Sequence, residues 1–501
     1  MQSLYPHEIR KIASGSGASG FAGFYFPSLR ARGLGEEKPV PPYSAIIYKE
    51  GDEVRAEDRK GRKIASGESG VDDAGVIQSA LDLVNGGAIF IRSGKYILES
   101  SLSISNYFIN LIGEGLATKL VPKSEDVGAV IKIGGEERPL GIQIKSLQFG
   151  DYGDGSRASW NVDYIKILKG ALIWIEDCFF YSIGGSAINV DTCWEMFIRN
   201  IKIENCGRGD KYAIHIEPSK DERGYESNHI FISDVHGGSR YGGLFKLKGM
   251  SSYYSEQFQL VNINFYGPHV YDADLTSPYC VSLGPYVSCI KLSSVSLFGV
   301  QTDIIYAKVA RLYMNNIELS GERTGKSGVV LDGGNTIFIN NVKVSTQGKC
   351  VSCSSTPAGI WINGGTFNSQ EDTALSLSTW QFPIYLSNVE ATSPAGSHAV
   401  HITYSDQPVY IENLNYSPSV SLQKLAKNSG TATFSGDGTT TQFSIAHGLV
   451  STPTKVLVTP MTADAAADFY VTADDTNIYI NYKSAPPSGT DNLKFSWYAE
   501  V

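Results

Sequence analysis

One short alternation of apolar and polar positions recurs along this chain from about Ile142 to Tyr416. Ile173-Trp174-Ile175-Glu176-Asp177-Cys178-Phe179-Phe180 and Met196-Phe197-Ile198-Arg199-Asn200-Ile201-Lys202-Ile203 read the same way. In each, apolar residues stand four and two places before an Asp or Asn, then one and three places after it. The phrase returns around Asp234, Asn262, Ser294, Asn316, Asn341, Gly364, Asn388 and Asn413, with an earlier copy around Ser146, at intervals of 22 to 34 residues. A phrase repeated at that interval marks a solenoid. Its parity describes two half-buried strands joined by a bend that resets the inward face. Asn, Asp and Gly tolerate the left-handed backbone such a bend requires. Asn amides stacked from coil to coil are expected to hydrogen-bond to one another. A third apolar strand lies between copies, as in Ala187-Ile188-Asn189-Val190 and Ala213-Ile214-His215-Ile216. Three strands per coil predict a parallel β-helix, and eleven coils span about 53 Å at the spacing of paired strands.

Flanking segments read differently. Residues 1–42 are rich in Gly and Ser and end in Lys38-Pro39-Val40-Pro41-Pro42, the composition of a flexible arm and stiff linker. After a hairpin region from Tyr43, Asp72 or Asp73 is placed to cap a helix with Val76, Ile77, Ala80, Leu81 and Val84 on its apolar face. Gly86-Gly87 ends that helix, and Ala88 to Ile91 is a strand. A solenoid's first coil needs such a cover, because an open end exposes core and strand edges. Beyond Tyr416, Ser419 to Lys427 is placed to cap the far end. From Thr431 onward, alternating strands separated by Gly, Pro and Asp predict a small β-sandwich. The expected domains are an arm at 1–42, a capped β-helix at 43–428 and a terminal module at 429–501.

Composition narrows the function. The 52 Gly and 28 Tyr, with 5 Met, suit a β-rich chain full of turns. A net charge of −9 without a long basic run argues against nucleic acid as a partner. No stretch approaches the length needed to cross a membrane, and Met1 to Gly15 lacks the apolar core of a secretory signal. Export as part of a particle, specialised secretion and residence in the cytoplasm are the readings left open by that absence. The seven Cys show no zinc spacing, and no cofactor or metal is expected. Cys350-Val351-Ser352-Cys353 reads as a tight disulfide or two free thiols, and Cys178 as a core thiol. The lone His447 reads as a core or turn hydrogen-bonding group.

The run from Asp72 through Gln78, Ala80, Gly86-Gly87, Gly94 and Tyr96 to Gly113-Glu114-Gly115 and Thr118 resembles the entry segment of pectate-lyase-like right-handed β-helix proteins. Bacteriophage and archaeal-virus tailspikes use the same entry. The closing Phe443-Ser444-Ile445-Ala446-His447-Gly448-Leu449 and Phe495-Ser496-Trp497-Tyr498 look like C-terminal modules of viral tail fibres. The resemblance implies an all-β fold: a right-handed single-stranded parallel β-helix with a capping helix and a small C-terminal β-sandwich. It also implies a homotrimer on a virion surface, anchored to virion components through the arm, with the terminal module serving oligomerisation or receptor contact.

Insertions leaving one edge of successive coils mark where a ligand sits. Gly150 to Trp160, Arg208 to Asp210, Arg240-Tyr241 and Tyr266 to Asp274 all follow the same strand, and Glu217 to Glu226 leaves from another edge. Aromatic, Arg and carboxylate side chains suit sugars, through ring stacking and bonds to hydroxyls or uronates. The glycan-binding candidates are Tyr152, Arg157, Trp160, Asp210, Arg240, Tyr241 and Tyr271. Candidates for paired catalytic carboxyls are Asp151, Asp154, Asp272 and Asp274. The segment Trp174-Ile175-Glu176-Asp177-Cys178 is similar to one in pectate lyases but lacks the His that family carries, and no stacked Asp set for calcium is present. The expected function is a tailspike-like protein that recognises a host-surface polysaccharide or glycoprotein glycan. The alternative is a glycoside hydrolase or polysaccharide lyase acting in the flank groove.

Overall fold

The computed structural model describes residues 42–151, 155–208, 211–220, 226–239, 242–249, 257–267, 279–334, 336–355, 357–379, 381–405, 407–421 and 425–501. Of the arm read from the sequence at 1–42, residues 1–41 lie outside the described residues.

The chain is a parallel β-helix. Its long strands pair in parallel from Leu140–Phe149 through Cys193–Cys206, Asn228–Gly238 and Arg311–Gly321 to Val409–Ser417. A second sheet of 13 short strands runs from Leu102–Ile104 to Val420–Ser421. All eleven bend positions named from the sequence, Ser146 to Asn413, hold φ between 49° and 73°. Inward positions around each bend are shut off from solvent: Leu312 and Met314 before Asn316 are fully buried, and Ile317 and Leu319 after it nearly so. Amides also bond from coil to coil. Asn200 donates to Asp177 at 2.7 Å, Asn262 to Asp234 at 2.6 Å, Asn341 to Asn316 at 2.6 Å and Asn413 to Asn388 at 3.0 Å.

Thirteen short strands exceed the eleven coils counted from the phrase. The two extra coils, built on Gly87–Leu98 and Ile109–Pro122, precede its first copy. There the register slips between Ile112 and Gly115 and again between Gly115 and Lys119, which destroys the parity that marks later coils.

The entry is covered as the sequence predicts, by the helix Asp73–Leu83, whose Val76, Ile77, Ala80 and Leu81 are buried. Neither carboxylate caps it by a side-chain bond, however. Asp72 accepts from the Glu68 amide at 2.8 Å. Asp73, fully buried, accepts from Lys49 Nζ at 2.8 Å, the Ile97 amide at 2.7 Å and the Gly70 amide at 3.0 Å. These carboxylates therefore tie the helix to its surroundings instead of ending it. An antiparallel meander, Ala45–Glu50, Glu53–Asp58 and Lys63–Glu68, joins the first coil where Ala45 to Ile47 pair in parallel with Ile89 to Ile91.

At the far end, Val420–Ser421 completes the last coil beside Val400 and His401. Leu425 bridges Val409 to Leu449, linking coil and terminal module. That module holds two three-stranded antiparallel sheets around their own core, centred on Ile478, Ile480, Leu493 and Phe495. His447 is buried there: its Nδ1 accepts from the Leu449 amide at 3.0 Å, and its Nε2 lies 3.1 Å from the Asp474 carbonyl. All seven cysteines are free thiols. Burial pushes the Cys178 thiol up to about 12, as expected of an inward position.

Candidate functional site

Strand register decides which outer face the insertions surround. Phe149, Phe180, Ile203, Gly237 and Phe265 stand side by side along one line of the long sheet. The four insertions singled out above leave shortly beyond that line, so their points of departure stack on one edge. Each then returns into a strand of the short sheet, and the further insertion after Glu217 leaves that sheet's opposite edge. The outer face of the short sheet is thus a floor with four insertions departing toward one of its edges and one from the other.

Alternation along each short strand selects what the floor presents. Ile165, Ile167, Ile188, Val190 and Ile216 turn inward and are fully buried. Between them the register lines up Lys166, Asn189, His215, Lys246, Ser282 and Tyr306 on the outside.

These side chains are tied into charged groups. Asp163 accepts from Asn189 Nδ2 at 2.6 Å and from the Ser186 amide at 2.9 Å. Glu217 collects three donors: His215 Nε2 at 3.0 Å, Lys246 Nζ at 2.7 Å and Lys248 Nζ at 2.8 Å. The His215 hydrogen bond, with the two ammonium groups, holds the Glu217 carboxyl far below the usual carboxylate range although partial burial opposes this. Nδ1 of His215 is buried with no partner among the described residues. Further along, the Tyr279 and Tyr306 rings stack with centroids 4.6 Å apart. Tyr306 donates to Asp332 at 2.5 Å, and Ser355 Oγ and Lys308 Nζ approach the same carboxylate at 2.8 and 3.2 Å. The Tyr306 bond holds Asp332 low, while burial and then Asp332 itself push the Tyr306 phenol up. The floor combines ammonium, imidazole, amide, hydroxyl and aromatic groups, the chemistry that binds hydroxyls and carboxylates of sugars. Both of its displaced carboxylates are displaced downward, which favours fixed charge over proton donation.

Of the residues named from the sequence, three are described. Asp151 sits between Lys95 Nζ at 2.5 Å and Lys119 Nζ at 3.2 Å. Burial raises its proton affinity, but the two lysines outweigh that and keep it ionised. Arg157 lies over the Trp160 ring, 5.3 Å from its centroid, and its Nε reaches the Pro122 carbonyl at 3.3 Å. Tyr152, Asp154, Asp210, Arg240, Tyr241, Tyr271, Asp272 and Asp274 lie outside the described residues. Glu217 registers only as the first residue of an insertion, and the floor residues His215, Lys246 and Lys248 escape a reading of insertions, because they stand inside or next to strands that register only as apolar triplets. The signal available was Ile214-His215-Ile216-Glu217 itself, an imidazole and a carboxylate spaced to share one face of a strand.

Fold and floor together define a parallel β-helix solenoid with a polar outer face on its short sheet. No protein-family model and no curated protein matches the sequence. Solved structures do resemble it. The Gp54 tailspike of Acinetobacter baumannii bacteriophage AP22, in complex with A. baumannii capsular saccharide, is 9% identical over 85% of this chain and 93% of that one, with a TM-score of 0.49. A tailspike of Escherichia coli bacteriophage HK620 in complex with a pentasaccharide is 10% identical over 89% and 92%, with a TM-score of 0.46. The A-module of the Azotobacter vinelandii mannuronan C-5 epimerase AlgE6 is 11% identical over 70% and 91%, with a TM-score of 0.40. The fold assignment rests on the strand pairings themselves.

Proposed function

We propose that this protein is a virion attachment spike that recognises a host-surface glycan on the outer face of its short sheet. The observation that carries the reading is the floor group around Glu217. It joins three nitrogen donors to one ionised carboxylate on a rigid strand pair. Such a group offers fixed donors to hydroxyls and carboxylates at little ordering cost, since neighbouring coils already hold it. In this reading the arm at 1–42 attaches the spike to the particle, the β-helix is its shaft and the terminal module its tip. Exposed rings near the far end, Phe382, Tyr410 and Tyr416, at 45%, 36% and 47% exposure, support contact between copies in a homotrimer on the virion surface.

Bacterial capsular and other surface polysaccharides are the probes to try first, since a capsular saccharide and a pentasaccharide are bound by two of the similar tailspikes. The test is co-elution of the full chain with each purified polymer, followed by mass spectrometry of the polymer. Retention of intact polymer by the native protein, weakened by Lys246→Ala and Lys248→Ala, is the expected result. Retention indifferent to both substitutions moves the site off this floor. New oligosaccharide ends assign a depolymerase instead.

A further inference from the structure

Two Asn-Gly pairs occur in this chain, Asn85-Gly86 and Asn363-Gly364, and a further Gly follows each. Their glycines share a backbone conformation, with φ of 84° and 138° at Gly86 and Gly87 against 73° and 149° at Gly364 and Gly365. Both asparagines are exposed. What separates the two pairs is how the chain around them is held.

Asn363 stands in the strand Gly359–Ser369, inside the long sheet. It pairs with Asn340 of the coil before and Ser387 of the coil after, and its Oδ1 accepts from Ser387 Oγ at 2.9 Å. Asn85 lies in the turn between the covering helix and the first coil. Neither it nor Gly86 makes a hydrogen bond to another described residue. The turn is held at its two ends instead. Before it, Asn106 Nδ2 donates to the carbonyls of Leu81 and Val84 at 3.1 and 3.2 Å. After it, the Gly87 amide donates to the Phe108 carbonyl at 2.8 Å.

We propose that Asn85 is a self-modification site, where the chain converts its own asparagine to aspartyl and isoaspartyl links with water as co-reactant. The amide of a glycine has no side chain beside it to keep it from the carboxamide of the residue before. The Gly86 nitrogen bonds to Asn85 Cγ, and the side-chain nitrogen leaves as ammonia, carrying the proton that Gly86 gives up. Water then opens the cyclic imide and returns a proton to the Gly86 nitrogen. Opening at Cγ leaves an ordinary aspartyl link, and opening at the main-chain carbonyl leaves the chain running through the side chain. Either product adds a carboxylate just past the helix Asp73–Leu83, at the end where helix carbonyls already concentrate negative charge. The isoaspartyl link also lengthens the main chain by a methylene between the Asn106 and Phe108 attachments. Conversion therefore loosens the cover of the first coil, and the coils further along keep their packing. At Asn363 the same attack requires the ladder on both sides to open first. The inference is independent of the ligand the shaft takes.

The test incubates the full-length protein in heavy-oxygen water at mildly alkaline pH, beside a guanidinium-unfolded sample. Both asparagines are followed by peptide mass spectrometry with electron-transfer fragmentation, which tells the two products apart. Unfolded, the two sites should convert at similar rates, because both read Asn-Gly-Gly. Folded, Asn85 should convert at least about tenfold faster than Asn363. Converted molecules, separated by anion exchange, should show faster hydrogen exchange in Asp73–Leu83 and Gly87–Ile91, with Ile384–Thr392 unchanged. Asn85→Gln should keep the native exchange pattern over the same incubation. Equal rates at the two sites in the folded protein overturn the inference. So does an Asn85 that stays an amide while the unfolded sample converts. Conversion without faster exchange in the covering helix overturns its consequence for the cover.

Discussion

Asn341 donates its side-chain amide to Asn316 Oδ1 across 2.6 Å, and the two residues hold φ of 50° and 53°. One side chain thus does two jobs: it tolerates the left-handed bend of its own coil and bonds to the bend of the coil before. Replacing Asn341 by Ala removes the bond and puts a Cβ-bearing residue without local compensation in the left-handed region. The expected loss is about 2 kcal/mol, read as a lower urea midpoint. Asn341→Gly keeps the conformation and loses only the bond, so its midpoint should fall between Ala and native. Equal midpoints for the two variants would mean that the bend carries no conformational penalty.

The contact between Lys49 and Asp73 makes a second test. Asp73 is fully buried and serves an ammonium and two backbone amides. Asp73→Ala leaves all three donors without this acceptor, at a cost of about 3 kcal/mol. The damage should be local, since a solenoid couples mainly to its neighbours. Hydrogen exchange should therefore quicken in Gly94–Leu98 and the covering helix, with Ile384–Thr392 unchanged. Uniform acceleration along the shaft would contradict the idea of a local cap.

Legibility from sequence followed the physics of each element. The bends were readable because left-handed backbone restricts residue type and because the inward face resets there, leaving a parity mark at Asn316 or Asn388. The first two coils were missed as repeats because their slipped register around Gly115 erases that mark. The floor was invisible for another reason. A strand of three residues shows one outward side chain, so His215 and Lys246 become neighbours only when coils stack, and stacking is not a local property of the chain. Insertions advertise themselves by length and composition, which is why Asp151 and Trp160 stand out as site residues while Glu217 registers only as the start of an insertion.

Acid should weaken the floor. The folded protein holds the Glu217 carboxyl well below its ordinary value of 4.5, through His215, Lys246 and Lys248. Its contribution is complete above that value, where both states are ionised. Below it the unfolded chain takes up a proton that the folded protein refuses, so stability declines as pH falls toward the depressed value. Asp151 and Asp332 shift in the same direction and add to the slope. Thermal midpoints measured from about pH 7 to about pH 3 should fall less steeply for Glu217→Gln than for the native protein. Parallel curves would show that Glu217 titrates alike in both states.

On the outer face of the long sheet, Tyr313, Phe338, Trp361, Tyr385 and Tyr410 stack ring on ring, with successive centroids 4.9, 5.1, 5.6 and 4.7 Å apart. Interplanar angles of 7° to 28° turn the ring faces toward each other, so the column shows its edges outward. Sugars stack on ring faces, which makes this column a brace between coils and a poor sugar platform despite its aromatic content. Trp361→Ala deletes the middle ring and both of its stacking partners' contacts, a loss of about 2 kcal/mol from pairing alone. Glycan retention on the charged floor should survive the substitution while the unfolding midpoint drops. Trp361→Phe, which preserves a stacking face, should recover most of the midpoint. If Trp361→Ala instead abolished retention at a temperature where the protein stays folded, the column would be a ligand surface, and the brace reading would fail.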